Sequence, residues 1–481
     1  RGPPDVDLGL AHHDVRLALR WPQPLVLLAT AVLVTLLDPW ALLQPGFWLS
    51  FVAVALLIAS DPVQRQAPPA AAGAGVGARL RALLRDGLRS QAIATLGLAP
   101  LSLVFFQQLS VVGFVANLVA IPVVTLLVTP LALLGAVLPA LWTLDAWLVQ
   151  ALLAGLRALA AWPMAQWSVA AAPAWAAWLG VAGGALLVMP LPWRLRALGP
   201  LLMLPLLMPR LDRPPPGRFE LVAADVGQGT AVLLRTATRL LVYDTGPQYS
   251  TESDAGQRVL VPLLRHRGEA RVDELLLSHR DTDHVGGAAS LLAQVPVLQL
   301  RHTLGVGALA TQVPQLPCRA GQRWRWDEVD FEVLHPDDAT AEAGGRPNSV
   351  SCVLRVQGAS GSVLLTGDIE WPQEAALLAR DPERLRADVL FVPHHGSRTS
   401  SSEAFIDAVA PRVAVVQAGY RSRYGHPAPD VVERYTARGV TVVRTDRCGA
   451  WHWQADGAQV CERERRARYW HHRAGDEVAA P

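Results

Sequence analysis

Lysine is absent from this 481-residue chain, and all 43 of its cationic side chains are arginine. In so alanine-rich a sequence this reads as a genomic composition bias rather than a nucleic-acid surface. Net charge is only +2, so the total gives no argument for a polyanionic partner. Cysteine is scarce. Cys318, Cys352, Cys448 and Cys461 all lie in the second half, and none forms the C-x-x-C pair of a structural zinc knuckle. A two-residue turn at Asp456-Gly457 would set Cys461 opposite His452 rather than Cys448, which leaves a disulfide open without implying one, and four free or buried thiols are the favoured expectation. The chain opens on Arg1 instead of Met, and no signal peptide precedes the first apolar run, as in a fragment without its N-terminal part.

Charge is also missing from long stretches of the first half. The chain is 51% hydrophobic, too apolar for an ordinary soluble protein of this size. A bilayer-crossing helix needs about 20 apolar residues. Candidate spans are 40–60, 91–109, 111–138, 141–161 and 175–191, with shorter runs at 25–37 and 197–208, six to seven in all. Between the second and third runs, Pro68, Pro69 and a Gly/Ala stretch read as a linker, followed by Arg79, Arg81, Arg85 and Arg89 on a short amphipathic stretch. Placing these arginines in the cytoplasm returns Arg194 and Arg196 to the cytoplasm four crossings later. One more crossing by 197–208 puts the rest of the chain outside. Gln107, Gln108 and Asn117, with Pro122 and Pro130, fall inside these runs, where polar groups are costly unless they face protein or water. They are candidates for a passage, or for ordinary interhelical bonds and kinks.

The expected organisation is a polytopic α-helical membrane domain over 1–210, a proline-rich linker over 211–217, an α/β domain with two sheets and outer helices over 218–461, and a charged, disordered tail over 462–481. In the α/β domain strands are expected at 219–225, 231–234, 240–244, 274–277, 351–356, 362–365, 389–391, 413–417 and 440–444. Helices are expected at 286–294, 372–380, 402–410 and 429–438. His471-His472 in the tail has no acidic partner at useful spacing.

The sharpest motif is Ser278-His279-Arg280-Asp281-Thr282-Asp283-His284-Val285-Gly286-Gly287. Four potential ligands, His279, Asp281, Asp283 and His284, fall within six residues directly after an apolar strand. A solvated loop has no need of histidines and aspartates interleaved there. Imidazole and carboxylate suit zinc, manganese or iron, and the lack of thiolate argues against structural zinc. Asp368, after Leu364-Leu365-Thr366-Gly367, can bridge two cations. His394 and His395 end another apolar strand, and His426 sits in a later turn. Asp244, in Tyr243-Asp244-Thr245-Gly246, can brace the ligand loop. Each is weak alone; together, in this order, they are strong.

This pattern resembles the metallo-β-lactamase superfamily, whose central motif is H-x-H-x-D-H; here Asp281 stands at the second histidine. The superfamily also places a histidine about 20 residues before the bridging aspartate, where this chain has Arg346-Pro347-Asn348-Ser349-Val350-Ser351. The resemblance implies that His394 or His395 fills that ligand set, with His426 completing the other. Asp225-Val-Gly-Gln-Gly229, Asn348-Ser-Val-Ser351 and Pro393-His-His-Gly-Ser397, with Pro45-Gly-Phe-Trp-Leu-Ser50 and Phe114-Val-Ala-Asn-Leu-Val-Ala-Ile-Pro122, narrow it further. They resemble the ComEC family of bacterial competence DNA-uptake channels, without that family's further N-terminal membrane and OB-like part.

The resemblance implies a multi-pass protein of the bacterial inner membrane that passes single-stranded DNA, with an extracytoplasmic, metal-dependent nuclease domain that degrades the other strand. It implies two divalent ions, manganese or zinc, which could clamp the attacking and leaving oxygens of a displacement at phosphorus. The partners it implies are DNA, the lipid bilayer, other competence proteins and further copies of the chain. Asp283, His394 and His395 become catalytic candidates, while Asp225, Gln228, Asp244, Asn348 and Ser397 become orienting or substrate-contacting residues. Arg398, Arg421 and Arg423 could meet phosphates. Two other readings share the ligands: a membrane-anchored metallo-phosphodiesterase without transport, and a DNA-binding module on a permease with a degraded metal site.

Overall fold

The computed structural model describes residues 22–60, 76–305 and 309–471. The chain divides into two compact units, Arg1–Ser168 with Ala172–Pro209, and Val169–Ala171 with Arg210–Pro481. The expected linker over 68–77 lies largely outside the described residues, as does His472.

The first unit is helical, and its helices expose apolar side chains such as Leu36, Leu37, Leu126, Leu133 and Trp178. A helix in water hides such residues on one face; a helix in lipid need not. By length and composition three helices can cross a bilayer: Leu84–Phe106, Gly113–Gly135 and Ala140–Ala160. Gln23–Leu37, Pro45–Ser60 and Ala174–Val188 hold 15, 16 and 15 residues. At about 1.5 Å per residue they reach about 22–24 Å, short of the ~30 Å hydrocarbon layer. The expected six to seven spans therefore reduce, by length, to three among the described residues. Leu198–Leu207 has 10 residues, about 15 Å, and is too short for the expected final crossing.

The arginine-bearing stretch is not a separate element. It opens Val76–Phe106, a 31-residue helix, from which Arg89 donates to the Ser60 carbonyl at 2.8 Å and so closes the end of Pro45–Ser60. Gln107 and Gln108 lie past the end of this helix rather than inside a span. Gln107 leaves the helical region at φ 55° and turns its amide back to the Val104 carbonyl at 2.9 Å. Gln108 then starts the strand Gln108–Ser110, antiparallel to Gln166–Ser168. Asn117 stays within the helix Gly113–Val123. The chain does not break near Pro122 and Pro130: a π-helical turn, Val124–Val128, carries it into Thr129–Gly135. Gly183 lets the helix Ala174–Val188 approach Leu198–Leu207 closely, since a Cβ there would lie 2.5 Å from the Gly199 carbonyl oxygen.

The second unit stacks two mixed sheets. From edge to edge the first runs Gln315–Pro317, Leu300–His302, Glu274–Leu277, Leu240–Tyr243, Val232–Arg235, Glu220–Ala223, Trp451–Trp453 and Gln459–Cys461. The second runs Arg323–Trp326, Val329–His335, Val353–Gly358, Gly361–Leu365, Val389–Phe391, Val413–Val416 and Thr441–Arg444. Strand Glu274–Leu277 is buried throughout. Leu276 points into the core between the sheets, while Leu275 and Leu277 point outward onto Leu260, Leu264 and Leu291. In Gly361–Leu365, Val363 and Leu365 face the inter-sheet core, and Leu364 faces Phe405 and Ile406. Successive strand residues thus serve opposite faces, both apolar because helices cover the outside. Each such side chain contributes about 1.5–3 kcal/mol on burial. Helices Val261–His266 and Ala288–Gln294 cover one sheet, and Trp371–Arg380, Glu403–Val409 and Pro429–Thr436 the other. This is the expected αββα sandwich.

Several expectations need correction. The helix expected over 286–294 starts only at Ala288, after the two glycines, and an unexpected helical turn, Thr282–Val285, precedes them. The hairpin Arg323–Trp326/Val329–His335 carried no Asn-Gly or Asp-Gly signal. Its turn is Asp327-Glu328, at φ 47° and 66°, and Asp327 offsets that strain by accepting hydrogen bonds from Thr236 and Thr238. The thiols are not free: Cys318 pairs with Cys352, and Cys448 with Cys461. The second hairpin has a loop longer than two residues, which places Cys461 opposite Trp451 instead of His452. The turn Thr445–Cys448, ended by Gly449, then returns Cys448 to a Cα–Cα distance of 4.8 Å from Cys461. The tail is ordered at its start, where Glu462–Arg465 is helical and Arg463 reaches Asp225 at 2.9 Å.

Mass spectrometry of unreduced, alkylated full-length chain should find no labelled cysteine. The Cys318→Ala/Cys352→Ala variant should lose about 2–4 kcal/mol in denaturant unfolding. Quantitative labelling without reductant would contradict the pairing.

Candidate metal centre

The site is assembled at the ends of strands from both sheets. Strand Glu274–Leu277 delivers Ser278, His279 and the turn to His284. Strand Gly361–Leu365 delivers Asp368, and Val389–Phe391 delivers His394 and His395. Asp283, His284, Asp368 and His395 converge, with one ligand atom from each within 4.8 Å of all the others.

Local backbone geometry explains which groups point inward. His394, His395 and Gly396 take left-handed φ values of 50°, 53° and 81°, at a cost of about 1–3 kcal/mol for each non-glycine residue. This turn sends the adjacent rings apart. His395 is buried, with Nε2 3.3 Å from Asp283 and 3.6 Å from Asp368. His394, partly exposed, turns its Nδ1 to Glu370 at 3.3 Å and Thr399 at 3.2 Å, and its Nε2 lies 3.5 Å from the Asn348 amide and 3.9 Å from Asp368 Oδ2, farther than that of His395. The ligand turn also needs a close backbone approach. Thr230 donates to the Asp283 carbonyl at 3.1 Å, and a Cβ on Gly229, at φ 140°, would lie 2.3 Å from that oxygen.

The proton positions are set from outside the cluster. His284 Nδ1 lies 2.8 Å from Asp244 Oδ2, and the same carboxylate accepts the Ser278 amide and hydroxyl, both at 2.7 Å. His395 Nδ1 donates to the Gln417 carbonyl at 2.8 Å. His279 Nδ1 meets the hydroxyls of Ser278 at 3.0 Å and Ser351 at 3.3 Å. Nε2 of each of these rings is buried without a hydrogen-bond partner, and so is Nδ1 of His426. His284 Nε2 lies 3.2 Å from Asp368 Oδ1 but makes no hydrogen bond there. Buried polar atoms are normally satisfied. Unpaired ring nitrogens converging on carboxylates are the donor set of a divalent cation, with the opposite nitrogens held by oriented partners. These residues therefore fit the metal expected from their sequence.

Electrostatics agree. Burial works against charge on Asp368, but His284 and His395 outweigh it and hold the carboxyl well below its usual range. Burial likewise opposes charge on Asp283, which His395 and His284 nevertheless bring to about 2. Burial and His284 push His279 down to about 3. Burial and His395 push His426 down to about 4. Against burial, Asp368 and Asp244 raise His284 well above the usual imidazole range. Asp283 and Asp368 are kept ionised, while burial raises Asp281 and Asp244, and a cation would displace protons from His284 and His395.

The remaining predicted residues surround this cluster. Asp281 is 3.7 Å from His279 Nε2 and partly exposed. The His426 ring centroid is 6.3 Å from that of His395. Gln228 accepts from the Ser422 hydroxyl at 2.8 Å and ties down the loop preceding His426. Ser397 Oγ meets Thr399 Oγ1 at 3.1 Å. Asp225 binds Arg463 and the Gly227 amide, not a ligand. Sequence reasoning did not single out Ser278, Ser351 or Gln417. Ser351 carried the best available signal, since it stands in the region where a further histidine is usual and bonds both His279 and the Asp368 amide.

A competence protein family model matches residues 15–194, and a metallo-beta-lactamase superfamily model matches residues 224–420. The chain joins a competence-protein domain to a metallo-β-lactamase domain. It is 36% identical to the competence protein ComA of Neisseria gonorrhoeae over 87% of this chain and 56% of that protein. It is 33% identical to the uncharacterized protein YcaI of Escherichia coli over 91% of this chain and 57% of that protein. Similarity to the ComE operon protein 3 of Bacillus subtilis is 31% over 48% of this chain and 32% of that protein. The chain spans about half the length of the first two.

Elemental analysis after dialysis should show that His395→Ala lowers the bound metal per chain while His394→Ala retains it. Asp244→Asn should weaken metal affinity roughly 10- to 100-fold through His284. Equal metal retention by the two histidine variants would contradict the arrangement.

Proposed function

We propose that this chain is the membrane and hydrolase portion of a DNA-uptake protein, in which the metallo-β-lactamase domain cleaves phosphodiesters of the strand that is not taken up. The convergence of Asp283, His284, Asp368 and His395, in one chain with a competence-protein domain, carries this reading.

Two divalent cations, manganese or zinc, would supply Lewis-acid stabilisation and an activated water for displacement at phosphorus. Asp283, His284, Asp368 and His395 would hold them, with His279, Asp281 and His426 completing the shell. Asp244 and the Gln417 carbonyl fix the imidazole protons on Nδ1 of His284 and His395, so that each Nε2 presents its lone pair. His394 is well placed for substrate: its Nε2, beside the Asn348 amide, can hold a phosphate oxygen or give a proton to the leaving oxygen. Its other nitrogen, against Glu370, keeps the ring oriented.

Nucleic acid as the substrate is supported by the loop before His426. Tyr420 and Tyr424 are 47% and 55% exposed, and Arg421 and Arg423 stand over their rings at 5.3 and 4.8 Å. Exposed aromatic faces beside guanidiniums suit bases and phosphates. An extracytoplasmic location of this domain is supported by the pairing of all four cysteines, since disulfides persist in oxidising compartments. Passage of one strand through the competence domain is part of the same proposal.

Purified full chain in detergent, supplied with manganese or zinc, should degrade linear DNA, and Asp283→Ala/His284→Ala should abolish this. Asn117→Leu should reduce DNA uptake by cells while leaving that cleavage intact. Cleavage of small phosphodiesters but not DNA would favour an anchored phosphodiesterase. Metal-independent DNA binding without cleavage would favour a binding module.

A further inference from the structure

The hydrolase unit has a large cavity apart from the metal centre, of about 790 Å³, with seven arginines and four carboxylates in its lining. Lining residues Arg213, Arg235, Glu220 and Arg267 form alternating ion pairs that run through Glu269 behind the lining. Arg213 meets Glu269 at 2.6 Å, Glu269 meets Arg235 at 3.2 Å, Arg235 meets Glu220 at 2.7 Å, and Glu220 meets Arg267 at 2.6 Å. The arginine side chains are 28%, 9% and 16% exposed, and the glutamates 2% and 19%. Three guanidiniums against two carboxylates leave one positive charge largely withdrawn from water, which is costly unless an anion compensates it. Two donors in this network, Arg213 Nη1 and Arg235 Nε, are buried with no acceptor.

The cavity rim adds charge of the same sign. Among the described residues Arg210 has no acidic partner, and Arg466 comes only within 3.8 Å of Glu462, which Arg465 and His452 also share. Neighbouring imidazoles respond to this field. Burial, then Arg466 and Arg267, lower His266. Burial lowers His452 to about 4 against the raising pull of Glu462, and Arg267 and Arg465 add to the lowering. Planar guanidinium forks with spare N–H groups suit phosphate oxygens.

Chain connectivity points to the source of the phosphate. Ala171, on the cavity lining, stands three residues before the apolar helix Ala174–Val188 begins, and Arg210 stands three after Leu198–Leu207 ends. Leu211, also on the lining and 46% exposed, offers an apolar surface beside the arginines. We propose that this cavity of the hydrolase unit is a phosphate-binding site, separate from the metal centre, that holds the headgroup phosphate of an anionic phospholipid.

The test is thermal unfolding of the full chain in phosphatidylcholine nanodiscs with chelator present, followed by tryptophan fluorescence. Dioctanoyl phosphatidylglycerol should raise the midpoint by several degrees, at a concentration about tenfold or more below that at which inorganic phosphate acts. The shift should persist in Asp283→Ala/His284→Ala, which lacks the metal ligands, and vanish in Arg210→Gln/Arg466→Gln, whose changes lie on the rim and spare the buried network. No shift with either probe, or an undiminished shift in the rim variant, would overturn the site. Equal potency of inorganic phosphate would overturn the lipid assignment in favour of a free phosphate. Preferential response to a short oligonucleotide would overturn it in favour of nucleic acid.

Discussion

Asp244 has no solvent contact, and its carboxylate is shared among the Ser278 amide, the Ser278 hydroxyl and the His284 ring. Burying a carboxylate is costly unless its oxygens are fully engaged. Here that engagement fixes three things at once: the turn after strand Glu274–Leu277, the proton on His284 Nδ1, and the direction of His284 Nε2 towards Asp368. Residue 244 takes φ 58° to reach this position, so the backbone strain is held by the same contacts. Removing the aspartate would leave His284 free to turn and the ligand loop without its fixed point.

Much of this was legible in the sequence because it depends on short-range pattern. Buried strands such as Glu274–Leu277 and Val389–Phe391 appear as brief apolar runs that stop at chemically active residues, and their predicted bounds match the structure. The ligand motif follows such a strand directly, so its position in the fold followed from its position in the chain. The two-layer core and its outer helices followed from the same alternation.

What was not legible depends on backbone conformation and long-range register. Adjacent histidines in the strand-end sequence do not reveal that both take left-handed φ values, nor that His395 is buried between Asp283 and Asp368 while His394 is partly exposed with its Nδ1 on Glu370. The hairpin at Asp327-Glu328 lacks the glycine that marks such turns and is held by threonines about 90 positions away. The cysteine pairs depend on the register of the Trp451–Trp453/Gln459–Cys461 hairpin and on a 34-residue separation that spacing alone does not connect. In the membrane unit, hydropathy found the apolar runs but not their helical lengths. Arg81 lies in the same helix as the candidate span Leu84–Phe106, Arg85 lies inside that span, and Gln107 and Gln108 fall past its end.

The central claim is that imidazole and carboxylate from opposite sheets share one cation-binding centre. Electron spin-echo spectroscopy of the manganese-loaded full chain reads this directly. The account predicts ¹⁴N modulation from coordinated imidazole, diminished in His395→Ala and unchanged in His394→Ala. A manganese signal without nitrogen modulation, or one indifferent to His395, would contradict it.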